Sequence, residues 1–267
     1  MRLDLFMVEK GLSESRERAK TLIKNNQVKV NNKICSKPSA NINETDLIEL
    51  TGETLRYVGR GGLKLEKIIN KYAIDLSGKV CMDVGASTGG FTDCMLQNGA
   101  EKVYAVDVGS GQLAKKLVED SRVLNMEKTD IRKLKKDSIK DKIDFISADV
   151  SFISLKLVLS YIYELLSECG QAAVLIKPQF EAGRQNVGKN GIVKSRKVHE
   201  RILYEISEFA VTIGFKIIDL CCSPVTGGDG NIEYLIYMDC EVNRKSEVFD
   251  LKMIVDDAFG RFRTGGK

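Results

Sequence analysis

The 267-residue chain has one histidine, no tryptophan and three prolines, and each scarcity removes a class of chemistry. A single imidazole, His199, leaves almost no material for a Cys/His zinc site, so no metal is expected. It also removes Ser-His-Asp and Cys-His catalysis unless His199 alone serves, and its charged helical setting predicts a surface residue. The seven cysteines form no C-x-x-C pair, and several lie in apolar runs as small buried hydrophobes. No uncharged apolar run approaches the ~20 residues of a membrane helix. The longest such stretch, 172–176, is far shorter, and membrane insertion is not expected. The first ten residues carry acids and no small-residue cleavage site, so no secretory leader is read there and the cytoplasm is the expected location. Charge is close to balanced, with 41 Lys and Arg against 37 Asp and Glu.

What is present divides in two. Residues 1–53 read as two short helices followed by short strands, 54–63 as a linker, and 64–267 as a larger domain. In the first part Leu3, Leu5, Phe6, Val8 and Leu12 form an apolar face, and Ser13 is a candidate N-cap for the second helix. On that helix Arg16, Lys20 and Lys24 recur at i, i+4 and i+8 and predict a cationic stripe. Val28 and Val30 alternate with polar residues, a half-buried strand that Asn31-Asn32 can turn back. Seven bases against two acids lie between Ser13 and Lys37. That spacing is compatible both with a solvated helix and with a phosphate-binding patch of Arg16, Arg18, Lys20, Lys24 and Lys29.

These residues also resemble a known module. Arg2-Leu3-Asp4, Gly11-Leu12, Ser15-Arg16, Ala19, Leu22-Ile23, Val28-Lys29-Val30-Asn31 and Lys37-Pro38 are similar to the S4-type RNA-binding domain. Asn26 stands where the usual glycine would be, a mild departure because Asn tolerates a left-handed backbone. The resemblance implies a small α+β fold that binds RNA.

From residue 65 onward short apolar strands alternate with helices, which argues for a mostly parallel sheet covered on both faces. Strands are expected at 80–84, 103–107, 123–126, 145–149, 172–177, 215–220 and 233–238. The first ends in Asp83-Val84-Gly85-Ala86-Ser87-Thr88-Gly89-Gly90. Glycines there let the backbone approach a ligand, and the following helix offers free N–H groups. No Lys-Ser/Thr pair follows, which excludes a P-loop, and the glycine spacing fits G-x-G-x-x-G badly. Asp107, 22 residues after Gly85, ends the second strand where an acid commonly accepts from ribose hydroxyls. Turn and acid together point to an adenosine-containing ligand, S-adenosylmethionine ahead of NAD.

Ligands of open α/β sheets sit outside the carboxyl ends of the strands. On that rim the sequence sets Asp83, Asp107, Asp149 and Lys177. A lysine ending a buried strand often only snorkels to solvent, but this one shares its rim with an acid on a neighbouring strand. Arg184 and Lys189, in the glycine-containing loop after Lys177, read either as ordinary surface or as an RNA clamp. Residues 132–136 read as a solvated basic patch.

Asp83–Asp93, Arg60-Gly61-Gly62-Leu63-Lys64-Leu65, Asp149-Val150-Ser151-Phe152-Ile153-Ser154, Ile176-Lys177-Pro178-Gln179-Phe180-Glu181 and Asn231-Ile232-Glu233-Tyr234 resemble the TlyA (hemolysin A) family of 2′-O-ribose rRNA methyltransferases. The match runs through nearly the whole chain in the expected order. Ser87-Thr88 replaces the Ala-Pro frequent in the wider FtsJ-like group. The resemblance implies a Rossmann-like methyltransferase sheet of seven strands, the last antiparallel, behind the S4-type domain. It implies a Lys-Asp-Lys-Glu tetrad at Lys64, Asp149, Lys177 and Glu233. It implies S-adenosylmethionine contacts from Asp83, Gly85, Ala86, Ser87, Thr88, Gly90, Phe91 and Asp107, with Asp130 and Ile131 near the adenine. The RNA partner, ribosomal RNA or a ribosomal subunit, would meet the N-terminal bases together with Arg60, Arg184 and Lys189. The alternative is a non-enzymatic RNA-binding protein carrying a degenerate methyltransferase domain. A pore-forming toxin, suggested only by the family's older name, has no spanning segment to build on.

Overall fold

The computed structural model describes residues 1–13, 15–24, 26–51 and 56–263, and the side chains of Arg18, Lys136 and Arg263 lie outside what it describes. The chain divides into two compact units, Met1–Arg56 and Tyr57–Lys267.

In the first unit α1 (Leu3–Glu9) and α2 (Arg16–Lys24) precede β1 (Val28–Val30), β2 (Lys33–Ile34) and β3 (Ile48–Leu50), an antiparallel sheet ordered β2-β1-β3. Leu3, Phe6, Met7, Ala19, Ile23, Val28 and Ile42 form its core. Leu5 and Val8, expected on the apolar face, are 42% and 36% exposed instead. Asn31 and Asn32 both take positive φ, 51° and 65°, and turn β1 back onto β2. Asn26 also takes positive φ, 59°, as its place in the motif requires.

The cationic stripe is altered. Arg2 and Arg16 both donate to the fully buried carboxylate of Asp4, at 2.9 Å, and Lys20 pairs with Glu17 at 2.6 Å. Only Lys24 of the three stripe residues stands without an ion pair among the described residues. Sequence periodicity places side chains on a face, but an acid on another helix then decides which of their charges remain free.

In the second unit α3 (Gly61–Tyr72) leads into β4 (Val80–Val84), α4 (Gly90–Gln97), β5 (Lys102–Val106), α5 (Lys115–Val118), β6 (Val123–Met126) and β7 (Ile143–Ala148). There follow α6 (Leu159–Leu165), β8 (Leu166–Ile176), α7 (Pro178–Glu181), α8 (Arg196–Thr212), β9 (Lys216–Cys222), β10 (Tyr234–Asp239) and α9 (Leu251–Arg263). The sheet order is β6-β5-β4-β7-β8-β10-β9, parallel from β6 to β8, with β10 antiparallel to both its neighbours. Alternate residues enter opposite cores. Ala172, Val174 and Ile176 of β8 join one with α6, α8 and α9, while Ala173 and Leu175 join the other with α3 and α4. No described helix is long and apolar enough to cross a membrane.

Three expectations change here. The strand expected at 172–177 begins at Leu166, directly after α6. The linker expected at 54–63 is shorter: Thr54 and Leu55 lie outside the described residues, but Tyr57 is 2% exposed in the second unit's core and Val58 N–H donates to Asp93. His199, expected at the surface, is fully buried. Its Nε2 lies 3.0 Å from the Val193 carbonyl, which can only accept, so Nε2 carries the proton and Nδ1 accepts from the Tyr234 hydroxyl at 2.8 Å. Burial lowers its pKa and holds it neutral.

Asp4 offers a test of the first unit. Hydrogen bonds from Arg2, then from Arg16, hold its carboxyl at about 2, below the ordinary value of 3.8. A depressed carboxyl adds stability that is present above the unfolded value and lost as pH falls through the folded one. Asp4→Asn lowers the protection of amides 1–50 in hydrogen exchange at pH 7 by about 1.5–3 kcal/mol. The difference from wild type shrinks between pH 4 and 2; one that does not change with pH would refute the pairing.

Candidate active site

The site begins at the end of β4. Gly85 has φ +82°, and a Cβ there would lie 2.8 Å from the Asp149 carbonyl oxygen. Only glycine lets the exits of β4 and β7 come this close. The turn is tied to β5 by the Gly85 and Ala86 N–H groups, which donate to the Val106 carbonyl at 2.8 and 3.1 Å. Asp107 accepts from the backbone N–H of Ser87 and of Gly109, both at 2.7 Å. Each oxygen keeps a lone pair for a ribose hydroxyl. Behind the turn Asp83 is 1% exposed and accepts from Thr92 N–H and Oγ1, at 2.8 and 2.7 Å, and from Ser147 Oγ. It holds the start of α4. Burial pushes its carboxyl up to about 7 against those hydrogen bonds.

Four charged side chains meet beside this turn. Lys64, in the first turn of α3, sends Nζ to Glu233 Oε2 at 2.8 Å and to Asp149 Oδ2 at 3.4 Å. Lys177, leaving β8 just before Pro178, has Nζ 2.6 Å from Asp149 Oδ1 and donates to Ser151 Oγ at 2.8 Å. The Asp149 contact is an ion pair whose angle does not suit a hydrogen bond. Two cations and two anions balance, which is what allows Lys64 and Glu233, 7% and 2% exposed, to stay charged away from water. Register explains the encounter: β10 runs against β8 with Tyr234 opposite Ile176, so Glu233 stands across from Lys177.

Two cavities adjoin here. One of about 310 Å³ is lined by Asp83, Gly85, Ala86, Ser87, Thr88, Gly90 and Phe91, together with Arg60, Lys64, Asp149 and Lys177. The other, about 780 Å³, is lined by Asp107, Asp130 and Ile131 and shares Gly85, Ser87, Asp149 and Ser151 with the first. All ten residues expected at the cofactor therefore border one of the two. Asp130 accepts from Arg132 N–H and, bidentately, from its guanidinium, the closest contact being 2.7 Å. Arg132, expected in a solvated patch, is thus part of the cleft wall.

Of the candidate RNA contacts, Arg60 lies in the smaller cavity, Arg184 lines a separate one, and Lys189 is exposed on the loop. That loop is not loose at its far end: Asn231 donates to the Gly191 carbonyl and accepts from Val193 N–H.

Sequence reasoning missed the lock between two of the motifs. Glu181 accepts from Ser154 Oγ and Leu155 N–H, both at 2.7 Å, and fixes the segment after Asp149 to the one after Lys177. It also missed Phe152, 92% exposed at φ +63°, its ring 5.1 Å from that of Phe180. A bulky residue held exposed in the left-handed region is a signal for function, but only the backbone angle reveals it.

Residues 57–240 match the FtsJ-like methyltransferase family, and residues 1–48 match the S4 domain. The 16S/23S rRNA (cytidine-2′-O)-methyltransferase TlyA of Mycobacterium tuberculosis is 36% identical over 244 residues, 91% of each chain. The chain belongs to the TlyA family of FtsJ-like methyltransferases. Hemolysin A of Brachyspira hyodysenteriae is 41% identical, covering 89% of this chain and 99% of its own. A solved structure from Streptococcus thermophilus, 42% identical, superposes with a TM-score of 0.80 over 99% of this chain and 98% of that one.

The cofactor of this methyltransferase fold is S-adenosylmethionine, and the cleft fits it. Gly85, which lets β4 close on Asp149, borders both cavities, Asp107 has acceptor capacity left, and the combined cavity suits a ligand of that size.

Two outcomes follow. Gly85→Ala combines a strained φ with a backbone clash and weakens S-adenosylmethionine binding about tenfold or more by calorimetry; unchanged affinity would count against the turn as the binding element. For Asp83, a carboxyl raised in the fold gives stability that is fully present at low pH and is lost as pH rises from about 4 through 7. Asp83→Asn, neutral throughout, therefore gains on wild type in urea unfolding between pH 5 and 8, and a flat difference would refute the raised carboxyl.

Proposed function

We propose that the chain transfers a methyl group from S-adenosylmethionine to a ribose 2′-hydroxyl of ribosomal RNA, at a cytidine. One observation carries the reading: the Lys177 amine, held between Asp149 and Ser151 at the mouth of the glycine-turn cavity. The names of the relatives and the S4 match in front support RNA, and TlyA's printed substrate supports cytidine.

When bound, the cofactor supplies a sulfonium methyl group open to in-line attack. A ribose hydroxyl is a weak nucleophile, so the chain must align it and accept its proton. Lys177 Nζ has three positions beyond its carbon stem; Ser151 takes one and the Asp149 carboxylate lies close beside the amine, which leaves room for the ribose oxygen. As an N–H that position orients the hydroxyl; as a lone pair it takes the proton. Asp149 fixes the amine, and Lys64 holds Asp149 while its own charge is balanced by Glu233. Asp149 thereby keeps one ligand on each oxygen and cannot swing away. Lys24 and Lys29 of the N-terminal unit, with Arg60, Arg184 and Lys189, would grip phosphates, the charges of Arg16 and Lys20 being taken up by Asp4 and Glu17, and an enzyme acting on ribosomal RNA works in the cytoplasm.

Lys177→Ala lowers methyl transfer to rRNA by about 10²–10⁴-fold while S-adenosylmethionine binding persists. Lys177→Arg keeps the charge but cannot act as a base, so it separates orientation from proton removal. The substrate is identified by mapping 2′-O-methyl marks in rRNA from cells with and without the protein. Marks that are the same in both, or a Lys177→Ala enzyme at wild-type rate, would overturn the reading.

A further inference from the structure

Charge holds the Lys177 amine close to Asp149 but does not aim it. Asp149 Oδ1 lies 2.6 Å from Nζ, at an angle unsuited to a hydrogen bond. Attraction between two charges depends on their separation, and hardly at all on rotation of the ammonium about its own stem. Lysine adds to the difficulty, because it carries three rotatable donors on a flexible chain. The Phe180 ring, with its centroid 5.9 Å from Nζ, offers a face and no direction for any single N–H. Among the described residues, the one hydrogen bond that Lys177 Nζ makes is to Ser151 Oγ, at 2.8 Å.

We infer that Ser151 is a positioning residue for methyl transfer: by accepting one N–H of Lys177 it fixes the rotation of the amine, so that a remaining position faces the ribose hydroxyl. The inference rests on the RNA 2′-O-methylation proposed above and adds to it a group outside the Lys-Asp-Lys-Glu tetrad. Ser151 suits the task by its place. It borders both the cavity of the glycine turn and that of Asp107, so the amine it aims lies where the two meet. The segment that carries it is fastened at both ends. Asp149 N–H donates to the Val84 carbonyl at 2.9 Å, and Glu181 accepts from Ser154 Oγ and Leu155 N–H. Its chemistry suits the task as well. Two cations and two anions already balance here, and a hydroxyl accepts from the amine without adding a third negative charge. Asp149 and Ser151 thus divide the work, one supplying charge and the other direction.

The test uses the full-length enzyme, with methyl transfer measured on ribosomal subunits lacking the modification and S-adenosylmethionine binding measured by calorimetry. Ser151→Ala lowers kcat by about 10–100-fold, while KM for the subunits and the affinity for the cofactor stay at their wild-type values. Ser151→Thr keeps the hydroxyl and with it most of the rate. Because Ser151 acts through Lys177, Ser151→Ala brings no further loss once Lys177→Ala is in place. A loss that multiplies onto that of Lys177→Ala belongs to a residue acting some other way and would overturn the assignment, as would a Ser151→Ala enzyme with wild-type kcat. Weakened cofactor affinity would overturn it too, by making Ser151 a contact of S-adenosylmethionine. If the wild type transfers no methyl group to the subunits, the function reading fails first and this inference with it. If the wild type transfers and Ser151→Ala keeps pace, only this inference fails.

Discussion

The balance of two cations against two anions in a nearly dry corner of the sheet is the constraint on which the rest of the second unit depends. Lys64 is shared between Glu233 and Asp149, and Asp149 in turn meets Lys177. Remove Lys64 and the buried Glu233 loses its ion-pair partner, a far larger loss than the net value of the pair itself; remove Lys177 and Asp149 still has Lys64. The four residues come from a helix, two strand exits and a strand entrance. No local segment can bring them together, so α3 and the adjacent strands β7, β8 and β10 have to assemble before the site exists.

The reversed last strand makes that assembly possible. In a wholly parallel sheet every strand would bring its carboxyl end to the ligand rim. β10 brings its amino end instead, and Glu233 arrives opposite Lys177 through the Tyr234–Ile176 register. The glycine turn does the complementary task on the other side, where Gly85 lets β4 pass against the carbonyl of Asp149. Behind both, Asn231, His199 and Tyr234 bind the loop, α8 and β10 into one piece. Together with the Glu181–Ser154 lock they keep the reacting groups on rigid supports.

Much of this was legible in the sequence because it is local or periodic. The apolar strands, the turn after Asp83 and the asparagine hairpin each follow from short-range chemistry. The family motifs supplied Lys64 and Glu233, which periodicity alone would not have singled out. What stayed hidden depends on partners distant in the chain. Arg16 reads as a free cation until Asp4 is placed beside it, and the charges flanking His199 conceal that its own side chain turns inward to Tyr234. Leu166 extends β8 because the strand pairs with β7 from Ile143 onward, a contact invisible to the helical pattern before it. The bond that Ser151 accepts from Lys177 is likewise a property of its surroundings, since the residue type says nothing about which donor it will meet.

The sealed imidazole has one more consequence. Histidine is the one side chain whose ordinary titration falls between about pH 5 and 8, and this chain has a single copy, buried and neutral. Its outer surface therefore keeps nearly the same charge across that whole interval. Attraction toward a polyanion is then set by the ions in the medium and hardly at all by its acidity.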